Sequence, residues 1–471
     1  MYERKAFYID GRWTDPIAPG NVIEVFNPAT EQVIGFVPSG TAEDVDAAVA
    51  AARRAFDPLI SVAERRRRVD RIIEATQRHL PAIADLITAE MGAPRRIAHG
   101  VQTRVPLAVA QGIASVLDEF EFSERIGNSL VTREPYGVVG AITPWNYPLY
   151  QVIAKLVPAI AAGCTVVLKP SNEAPLSVFA FFDALDEAEL PPGVVNLVSG
   201  PGSVVGEAIA GHPDVDLVSF TGSTGAGRRV AELAGRAVSK VTLELGGKSA
   251  NVILEDADLG TAVKVGVGNA LLNGGQTCMA WTRMLVPQSR YGEALELVET
   301  AVARYTVGDP TDPATRLGPS ACASQFETVR GFIDRARGDG ARLLTGGSER
   351  IGDTGYYLAP TVFADVDPMS EIAQEEVFGP VLVVIPFTDD DDAVRIANCT
   401  PYGLSGAVWA GTDERAIDVA CRVRTGQLDI NGGPYNPLAP FGGYKQSGFG
   451  RELGRFGFEE YLQTRSLQLP L

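Results

Sequence analysis

Two side chains in this sequence have the types and local settings that covalent carbonyl chemistry requires. Cys278 follows two glycines, Gly274 and Gly275, and Glu244 lies at the end of an apolar, strand-like run, Val241–Leu245. A thiolate can attack a carbonyl carbon, and a carboxylate can later activate the water that hydrolyses the resulting thioester. Together they indicate an enzyme that forms an acyl group on cysteine.

The other candidate nucleophiles and metal ligands have simpler explanations. Cys164, Cys322, Cys399 and Cys421 lie beside turns or on a helix, and free cysteines usually behave as small buried hydrophobes. The three histidines are remote from both candidate residues, which weighs against a cysteine–histidine hydrolase. Cysteine, histidine and acidic residues show no metal-ligand spacing, so we expect no metal.

Six short motifs follow one another over most of the 471 residues. They are Pro144–Pro148, Phe220–Thr224, Val241–Lys248, Asn273–Cys278, Glu375–Pro380 and Pro440–Lys445. In content and order they closely resemble the signatures of the NAD(P)-dependent aldehyde dehydrogenase superfamily. The resemblance implies oxidation of an aldehyde to its carboxylic acid through a thiohemiacetal and a thioester on Cys278, with Glu244 activating the hydrolytic water.

A tetrahedral oxyanion formed at the carbonyl carbon needs hydrogen-bond donors that are already in place. Asn146 lies in a rigid turn between Trp145 and Pro148 and can offer its side-chain amide. The resemblance implies that the backbone N–H of Cys278 is the second donor.

A strict GxGxxG fingerprint is missing, although Gly200–Gly206 comes within one residue of it. Gly222–Gly227 follows an apolar strand and precedes a helix-like segment, a setting that can bind a pyrophosphate. The resemblance places Gly222 and Ser223 beside the pyrophosphate, Lys169 on the adenosine ribose, and Glu376 with Phe378 at the nicotinamide ribose. The full set of expected cofactor residues is Ile142, Thr143, Pro144, Trp145, Lys169, Ser171, Asn172, Gly202, Gly206, Phe220, Thr221, Gly222, Ser223, Leu245, Glu376 and Phe378.

Asn172 departs from a common form of the family, in which NAD-preferring members carry glutamate after the Lys-Pro-Ser motif. A carboxylate would repel a 2′-phosphate, whereas an amide can donate to it. We therefore expect NAD as the main cofactor, with measurable use of NADP.

The substrate class follows from the tunnel that the resemblance implies. Its lining would be Tyr147, Tyr150, Gln151, Trp281, Tyr435 and Phe441. Segment 433–441 has no Arg or Lys that could pair with a substrate carboxylate, which favours a neutral aliphatic or aromatic aldehyde over a dicarboxylic semialdehyde. Two alternatives stay open: an acylating enzyme that passes the thioester to coenzyme A, which Glu244 argues against, and a binding protein without turnover.

Charge and cysteine content limit the partners and the compartment. The formal net charge of −17 argues against nucleic acid or an anionic membrane surface as a partner. The basic run Arg65–Arg68 is interpreted as a solvated helix face. No signal-peptide core follows the start, and five scattered cysteines without CxxC pairs suit a reducing cytoplasm. We expect a cytoplasmic protein.

Short apolar runs alternate with Ala-rich helical stretches, the pattern of an α/β protein with open parallel sheets. With the resemblance, this predicts an aldehyde dehydrogenase-like fold in three parts. Segments 1–116 and 137–246 would form the dinucleotide-binding domain, and segment 247–447 the catalytic domain with Cys278. Segments 117–136 and 448–471, a hairpin and a tail, would form a small β element that links subunits into a homodimer or homotetramer.

Overall fold

The computed structural model describes residues 1–470 of the chain. The strands in chain order are β1 (Tyr2–Glu3), β2 (Phe7–Ile9), β3 (Arg12–Thr14), β4 (Val22–Asn27), β5 (Gln32–Pro38), β6 (Ser123–Ile126), β7 (Ser129–Pro135), β8 (Val138–Ile142), β9 (Thr165–Lys169), β10 (Val195–Leu197), β11 (Leu217–Thr221), β12 (Lys240–Glu244), β13 (Ala250–Ile253), β14 (Arg283–Pro287), β15 (Arg342–Thr345), β16 (Thr361–Ala364), β17 (Val381–Phe387), β18 (Gly406–Trp409), β19 (Asp429–Ile430), β20 (Gly448–Phe449) and β21 (Leu462–Gln468).

The helices alternate with these strands. They are α1 (Ala42–Ala55), α2 (Val62–Met91), α3 (Arg95–Glu119), α4 (Pro148–Ala162), α5 (Leu176–Glu187), α6 (Glu207–Ala210), α7 (Thr224–Ala237), α8 (Leu259–Ala270), α9 (Tyr291–Val302), α10 (Ala323–Gly338), α11 (Glu371–Gln374), α12 (Asp390–Asn398), α13 (Asp413–Ala420) and α14 (Gly454–Glu459). Short 3₁₀ turns span Leu272–Gly275, Gln288–Arg290 and Lys445–Ser447, and Gly202–Gly206 forms a π-helical turn.

The first large sheet has the strand order β20-β12-β11-β8-β9-β10-β2-β3. Its five central strands, β12 to β10, run parallel, and antiparallel strands close both edges. The central strands β8, β9 and β11 are buried along their whole length, as expected where helices cover both faces of a parallel sheet. The carboxyl ends of β12, β11, β8 and β9 therefore lie side by side at one edge.

The second large sheet has the order β15-β16-β17-β14-β13-β18-β19, parallel except for β15. Its adjacent strands β14 and β17 are paired from Arg283 with Val383 onward. The segments that lead into these two strands, one containing Cys278 and the other Glu376, are brought together by this pairing. The predicted α/β architecture with open, largely parallel sheets is confirmed.

A small antiparallel sheet joins the predicted hairpin to the tail. β6 and β7 pair around the turn at Gly127, and β21 pairs with β7 along seven positions, from Leu462 with Pro135 to Gln468 with Ser129. Within the predicted tail, Gly448–Phe449 lies elsewhere, because β20 pairs with β12 at the edge of the first large sheet.

The basic run on α2 differs from the expectation of a solvated face. Arg65 is only 6% exposed, and its guanidinium lies over the Phe122 ring, 5.1 Å from the centroid, while its Nε donates to the Ile60 carbonyl at 3.1 Å. Arg65 therefore packs α2 against the segment that leads into the hairpin. Within residues 1–470, the helices include none long and apolar enough to cross a membrane.

Candidate active site

The segment before Cys278 is shaped by three successive residues with left-handed backbone. Asn273, Gly274 and Gly275 have φ values of 55°, 69° and 73°. A Cβ atom on Gly275 would overlap the carbonyl oxygen of Gly379, so only glycine fits there. This close approach packs the nucleophile segment against the turn that carries Glu376, and it presents Cys278 between the two large sheets.

Asn146 is held by a buried network of amide side chains. Asn273 Nδ2 and Gln102 Nε2 both donate to the Asn146 carbonyl, at 3.0 and 3.3 Å, and Gln102 Nε2 also donates to Asn273 Oδ1 at 3.1 Å. Asn146 Nδ2 donates to the Gln276 carbonyl at 3.1 Å, two residues before the cysteine. Gln102, on α3, was missed by sequence reasoning because a buried glutamine in a helix has no distinctive local pattern.

Two hydrogen-bond donors face the space beside Cys278. The Asn146 amide has two N–H groups, and the bond to Gln276 uses one of them. Within residues 1–470, the backbone N–H of Cys278 has no acceptor. This pair of donors has the arrangement that an oxyanion formed at the cysteine requires.

Burial in a site rich in carboxylates disfavours ionisation of the Cys278 thiol. Desolvation raises its pKa well above the ordinary value, and the charges of Glu376, Glu244 and Glu452 raise it further. A hydrogen bond from the Met279 backbone N–H acts in the opposite direction. In the protein without ligands, the thiol is therefore protonated near neutral pH.

Glu244 ends β12 with its side chain buried and unpaired. It is 5% exposed, and among residues 1–470 neither carboxylate oxygen has a hydrogen-bond partner. Burial raises its pKa well above the ordinary value, and the charge of Glu452 adds to the effect, while Lys155 and Arg451 oppose it. A desolvated carboxylate with free oxygens can take a proton from water more readily than an ordinary glutamate.

A buried ion pair stands behind Glu244 and was missed by sequence reasoning. Lys155, on α4, donates from Nζ to Thr221 Oγ1 at 2.7 Å and forms a salt bridge with Glu452. Both side chains are almost fully buried, at 0% and 7% exposure. A lysine inside the apolar segment of α4 was the available signal, because burying a charge requires a partner. The two members of the pair have opposite effects on the pKa of Glu244: the charge of Glu452 raises it, and the charge of Lys155 lowers it.

A cavity of about 270 Å³ opens next to Cys278. Its lining is Pro144, Trp145, Asn146, Gln151, Thr221, Gly222, Ser223, Leu245, Gly246, Cys278, Gln325, Thr328, Glu376, Val377 and Phe378. Most of these come from the carboxyl ends of β8, β11 and β12, where ligands of open parallel sheets gather. Eight of the sixteen predicted cofactor residues are thus brought to one space with Asn146 and Cys278, while Ile142, Thr143, Lys169, Ser171, Asn172, Gly202, Gly206 and Phe220 do not line it.

The start of α7 borders this cavity. Ser223 caps the helix, since its Oγ accepts a hydrogen bond from the Ala226 N–H at 3.3 Å. Gly227 has no room for a side chain because Leu245 packs directly on it. The first N–H groups of α7 therefore face the cleft with the positive end of the helix dipole, a setting that suits a phosphate group.

The residues predicted to bind the adenosine end of the cofactor lie at the ends of neighbouring strands. Thr143 follows β8 and donates its N–H to the Lys169 carbonyl at 3.0 Å. Lys169 Nζ donates to the Pro170 carbonyl at 2.8 Å, and burial lowers the pKa of Lys169 to about 8. The Gly202–Gly206 π-turn lies against the Lys169 stem, where a Cβ on Gly206 would be 3.6 Å from Cδ.

The turn with Glu376 and Phe378 is held in an unusual conformation. Phe378 has φ 55°, and its ring meets Trp145 edge-on at 5.4 Å between centroids. Glu376 accepts a hydrogen bond from the Gly247 N–H at 3.0 Å, and burial raises its pKa to about 7. Gln325, which sequence reasoning missed, donates to the carbonyls of Val377 and Phe378 at 3.1 and 2.9 Å.

Several buried polar atoms on or next to the cavity-lining segments lack partners within residues 1–470. They are oxygens of Gln151, which lines the cavity, and of Thr143, Thr224 and Glu244, which are chain neighbours of lining residues. An unpaired buried polar group costs about 1–3 kcal/mol. A ligand with many hydroxyl and phosphate groups would satisfy such atoms, so the residues present fit a dinucleotide.

Five of the six predicted tunnel residues lie near Cys278, on the cavity or in a backbone pair with Glu452. Tyr147 bonds Thr277 through their hydroxyls at 2.8 Å, and Tyr150 bonds Tyr435 at 3.2 Å, so three tyrosines gather near the nucleophile. Gln151 lines the cavity. Phe441 is 5% exposed and forms backbone hydrogen bonds with Glu452 in both directions.

Trp281 is placed differently from the expectation. Its ring is 2% exposed and packs in the apolar cluster between α8 and the second large sheet, and its backbone N–H donates to Asn269 at 2.8 Å. The segment after Cys278 turns directly into β14, and this turn carries the indole into the core. The structure does not bring Trp281 to the described cavity, and neither Tyr147, Tyr150, Tyr435 nor Phe441 lines it; of the predicted tunnel residues, Gln151 does.

Comparison with known proteins agrees with this geometry. The profile of the aldehyde dehydrogenase family matches residues 13–467. A 3-succinoylsemialdehyde-pyridine dehydrogenase from a Pseudomonas species is 48% identical, covering 99% of both chains, and a geranial dehydrogenase from Castellaniella defragrans is 41% identical with the same coverage. The crystal structure of a mutant aldehyde dehydrogenase C from Pseudomonas syringae, in complex with NAD+ and octanal, superposes with a TM-score of 0.97 at 47% identity, covering 98% of this chain and 96% of that one.

The two α/β sheets and the site between them define an oxidoreductase fold with a cysteine nucleophile. The chain belongs to the aldehyde dehydrogenase family. The predicted family, fold and reaction class are confirmed, and so is NAD as the type of cofactor, which is bound in a solved relative that matches nearly the whole chain.

Proposed function

We propose that this protein oxidises a neutral aldehyde to its carboxylic acid with NAD, using Cys278 as nucleophile, Asn146 as oxyanion donor and Glu244 as the base for hydrolysis. The observation that carries the proposal is that Cys278 and Asn146 line one cavity together with Leu245, the residue that directly follows the buried Glu244. They come from three separate segments, and the cavity continues to the start of α7 and to Glu376.

The residues act in sequence on the aldehyde. Cys278 Sγ attacks the carbonyl carbon as the thiolate, after the thiol proton has passed to water in the cavity, and the Asn146 amide and the Cys278 N–H donate to the resulting oxyanion. Bound NAD would supply the acceptor for the hydride that leaves this carbon, and loss of that hydride gives the thioester. Glu244 then takes a proton from the water that attacks the thioester, and the carboxylic acid leaves the free thiol. Removing one oxyanion donor typically lowers the rate about 10²–10³-fold.

Glu376 and the start of α7 would hold the cofactor. The Glu376 carboxylate suits the hydroxyls of the nicotinamide ribose, and Ser223 with the N–H groups of α7 suits the pyrophosphate. Lys169 would bind the adenosine ribose. The unpaired buried oxygens of Thr143 and Thr224 support the proposal that a cofactor with many polar groups binds here.

The acylating alternative, in which coenzyme A takes the acyl group, is disfavoured by Glu244. Its two oxygens are unpaired and buried beside the nucleophile, and its pKa is raised, which suits deprotonation of water. A water-activating base at this position would hydrolyse the thioester before coenzyme A could take the acyl group.

A neutral substrate is favoured by the residues around the tunnel. Segment 433–441 has no basic side chain, and Tyr147, Tyr150 and Tyr435 offer only neutral hydroxyl groups. Two of the relatives agree with this, since one is a geranial dehydrogenase and another was crystallised with octanal, whereas the relative that is 48% identical is named a 3-succinoylsemialdehyde-pyridine dehydrogenase. Faster turnover of succinic semialdehyde than of hexanal or benzaldehyde would refute this assignment.

The coenzyme preference is proposed to be NAD with measurable NADP use, because Asn172 replaces a carboxylate near the ribose. Its Oδ1 is buried and unpaired within residues 1–470. The Asn172→Glu variant should lose NADP turnover while NAD turnover persists, since a carboxylate repels the 2′-phosphate. A wild-type ratio strongly in favour of NAD and unchanged in the variant would remove any role for this residue.

The finer assignments of assembly, domains and compartment are part of the same proposal. The sheet of β6, β7 and β21 would link subunits into a homodimer or homotetramer, and segments 1–116 with 137–246 and 247–447 would be the cofactor and catalytic domains. All five cysteines are free, which suits a reducing cytoplasm.

The deciding experiment measures reduced-cofactor formation with NAD and with NADP over a small aldehyde panel, for the wild type and Cys278→Ala. We expect turnover in the wild type and none in the variant. NAD binding measured calorimetrically on both proteins separates a lost nucleophile from a lost fold. Turnover that persists in Cys278→Ala would overturn the proposed mechanism.

A further inference from the structure

Two tyrosine hydroxyls meet beside the nucleophile without being needed for the reaction proposed above. Tyr150 projects from the first turns of α4, and Tyr435 from the segment after β19. Their oxygens are 3.2 Å apart, and both residues are partly exposed while packing on the same apolar cluster as Cys278. Both side chains therefore keep some contact with solvent, although neither lines the cavity described above.

The two tyrosine hydroxyls have one more O–H donor than their mutual hydrogen bond uses. Each phenol carries one O–H donor, and the bond between Tyr150 and Tyr435 consumes one of the two. Within residues 1–470, neither hydroxyl has another hydrogen-bond partner. One O–H group in the pair is therefore without an acceptor among the described residues, whichever tyrosine donates to the other.

The same hydroxyls are fixed as neutral donors. Burial raises the pKa of Tyr435 to about 12, and it raises that of Tyr150 well above its ordinary value. The charges of Glu452 and Cys278 act on both groups in the same direction. Tyr147 differs, because its hydroxyl is bonded to Thr277, which in turn donates to the Leu272 carbonyl at 3.1 Å.

We propose that Tyr150 and Tyr435 form a subsite that donates a hydrogen bond to a second, uncharged oxygen of the substrate, located along the chain beyond the aldehyde carbon. The preferred substrate class is then the aldehydes that carry a ketone, ether or hydroxyl oxygen, rather than plain alkanals. A site that offers a buried donor discriminates against the analogue without the acceptor, since the donor is left unpaired. This inference rests on the proposed aldehyde oxidation.

The test compares kcat/KM for octanal with that for 4-oxo-, 5-oxo- and 6-oxooctanal, using NAD and the full-length protein. These substrates have the same chain length and differ in the position of one neutral acceptor. We expect one oxo isomer to be preferred by about three- to tenfold, the range of a single net hydrogen bond. The double variant Tyr150→Phe with Tyr435→Phe should reduce that ratio to about one.

Each single Phe variant identifies which hydroxyl faces the substrate, because the remaining tyrosine keeps one O–H group. Tyr147→Phe is the matched control and should leave the ratio unchanged, since its hydroxyl is already engaged by Thr277. Ratios near one for all isomers in the wild type, or a preference that survives the double variant, would overturn the inference. If the double variant does not fold, a preference unaltered by either single variant would overturn it too.

The two proposals fail in different ways. Equal turnover of octanal and its oxo derivatives leaves aldehyde oxidation intact and removes only the hydroxyl subsite. Absence of reduced cofactor with every aldehyde removes the proposed function itself.

Discussion

Glu244, the proposed base, lies where no other group within residues 1–470 binds its oxygens. Such a carboxylate is costly to bury and is kept ionisable by the nearby Lys155 charge. The lack of hydrogen bonds to its carboxylate distinguishes Glu244 from Glu376, which accepts a hydrogen bond from the Gly247 N–H at 3.0 Å. The two buried acids therefore suit different tasks: one moves a proton, and the other holds a ligand.

The Glu244→Gln variant should separate the two halves of the reaction. Cys278 and the oxyanion donors remain, so the first turnover should release about one equivalent of reduced cofactor per subunit. Hydrolysis of the thioester should then become slow, because an amide cannot take the proton from water. Rapid-mixing absorbance measures both phases, and Cys278→Ala should show neither. A steady-state rate equal to the wild type would exclude Glu244 as the base.

Glu376 makes cofactor affinity depend on pH. Its pKa is raised to about 7 by burial, so the carboxylate form that can accept hydrogen bonds from ribose hydroxyls is depleted below that pH and complete above it. Between pH 8 and pH 6 the apparent Kd for NAD should therefore rise about tenfold. Calorimetric titration measures this, and Glu376→Gln should bind weakly with no such pH dependence. Wild-type affinity that is constant over this range would contradict the assignment.

At the scale of elements, the site is assembled from opposite ends of two sheets. The carboxyl ends of β12, β11, β8 and β9 carry Glu244 and most of the predicted cofactor residues, whereas the segments entering β14 and β17 carry Cys278 and Glu376. The two entering segments touch where Gly275 packs against the Gly379 carbonyl. This contact sets the nucleophile relative to the nicotinamide end of the cleft.

Two adjacent glycines allow a matched test of that contact. Gly274 and Gly275 have nearly the same φ, 69° and 73°, so alanine carries a similar backbone strain of about 1–3 kcal/mol at either site. A Cβ on Gly274 would lie 3.4 Å from Gln276 Nε2, whereas one on Gly275 would overlap the Gly379 carbonyl. Gly275→Ala should therefore lower kcat/KM and the melting temperature much more than Gly274→Ala. Similar losses in both variants would show that only the backbone strain matters.

At the scale of the whole molecule, the small sheet of β6, β7 and β21 leaves apolar side chains facing solvent. Ile126 is 60% exposed and Leu467 38% exposed, and most of β21 is exposed. A three-stranded sheet with open edges and exposed apolar residues is typical of a surface that meets another chain. This agrees with the proposed role of the hairpin and the tail in assembly.

The Ile126→Arg variant should weaken that assembly, because a charge would be buried at the contact between subunits. Size-exclusion chromatography with light scattering should show a smaller particle than the wild type. Met369→Arg is the control, since Met369 is 63% exposed on the segment before α11, remote in sequence from the hairpin. An unchanged mass for Ile126→Arg would place the contact between subunits elsewhere.

The reaction class could be predicted from the sequence because the residues proposed to carry it lie in short, dense motifs. The glycines before Cys278, the rigid turn around Asn146 and the capped start of α7 depend on backbone preferences that act within a few residues. The alternation of apolar runs and helical stretches likewise determined the α/β class, since it reflects which faces must be buried.

Only the tertiary structure decided which residues that are distant in the chain contact one another. Gln102, Lys155, Gln325 and Glu452 support the site from segments with no distinctive pattern, because a buried polar side chain is explained only by the partner that satisfies it. Trp281 enters the core for a similar reason: the space available to a large ring is set by the packing of α8 and the second sheet. The sequence by itself determined which groups can react. Packing decided which of them meet, how strongly each is desolvated, and therefore which carboxylates can move a proton.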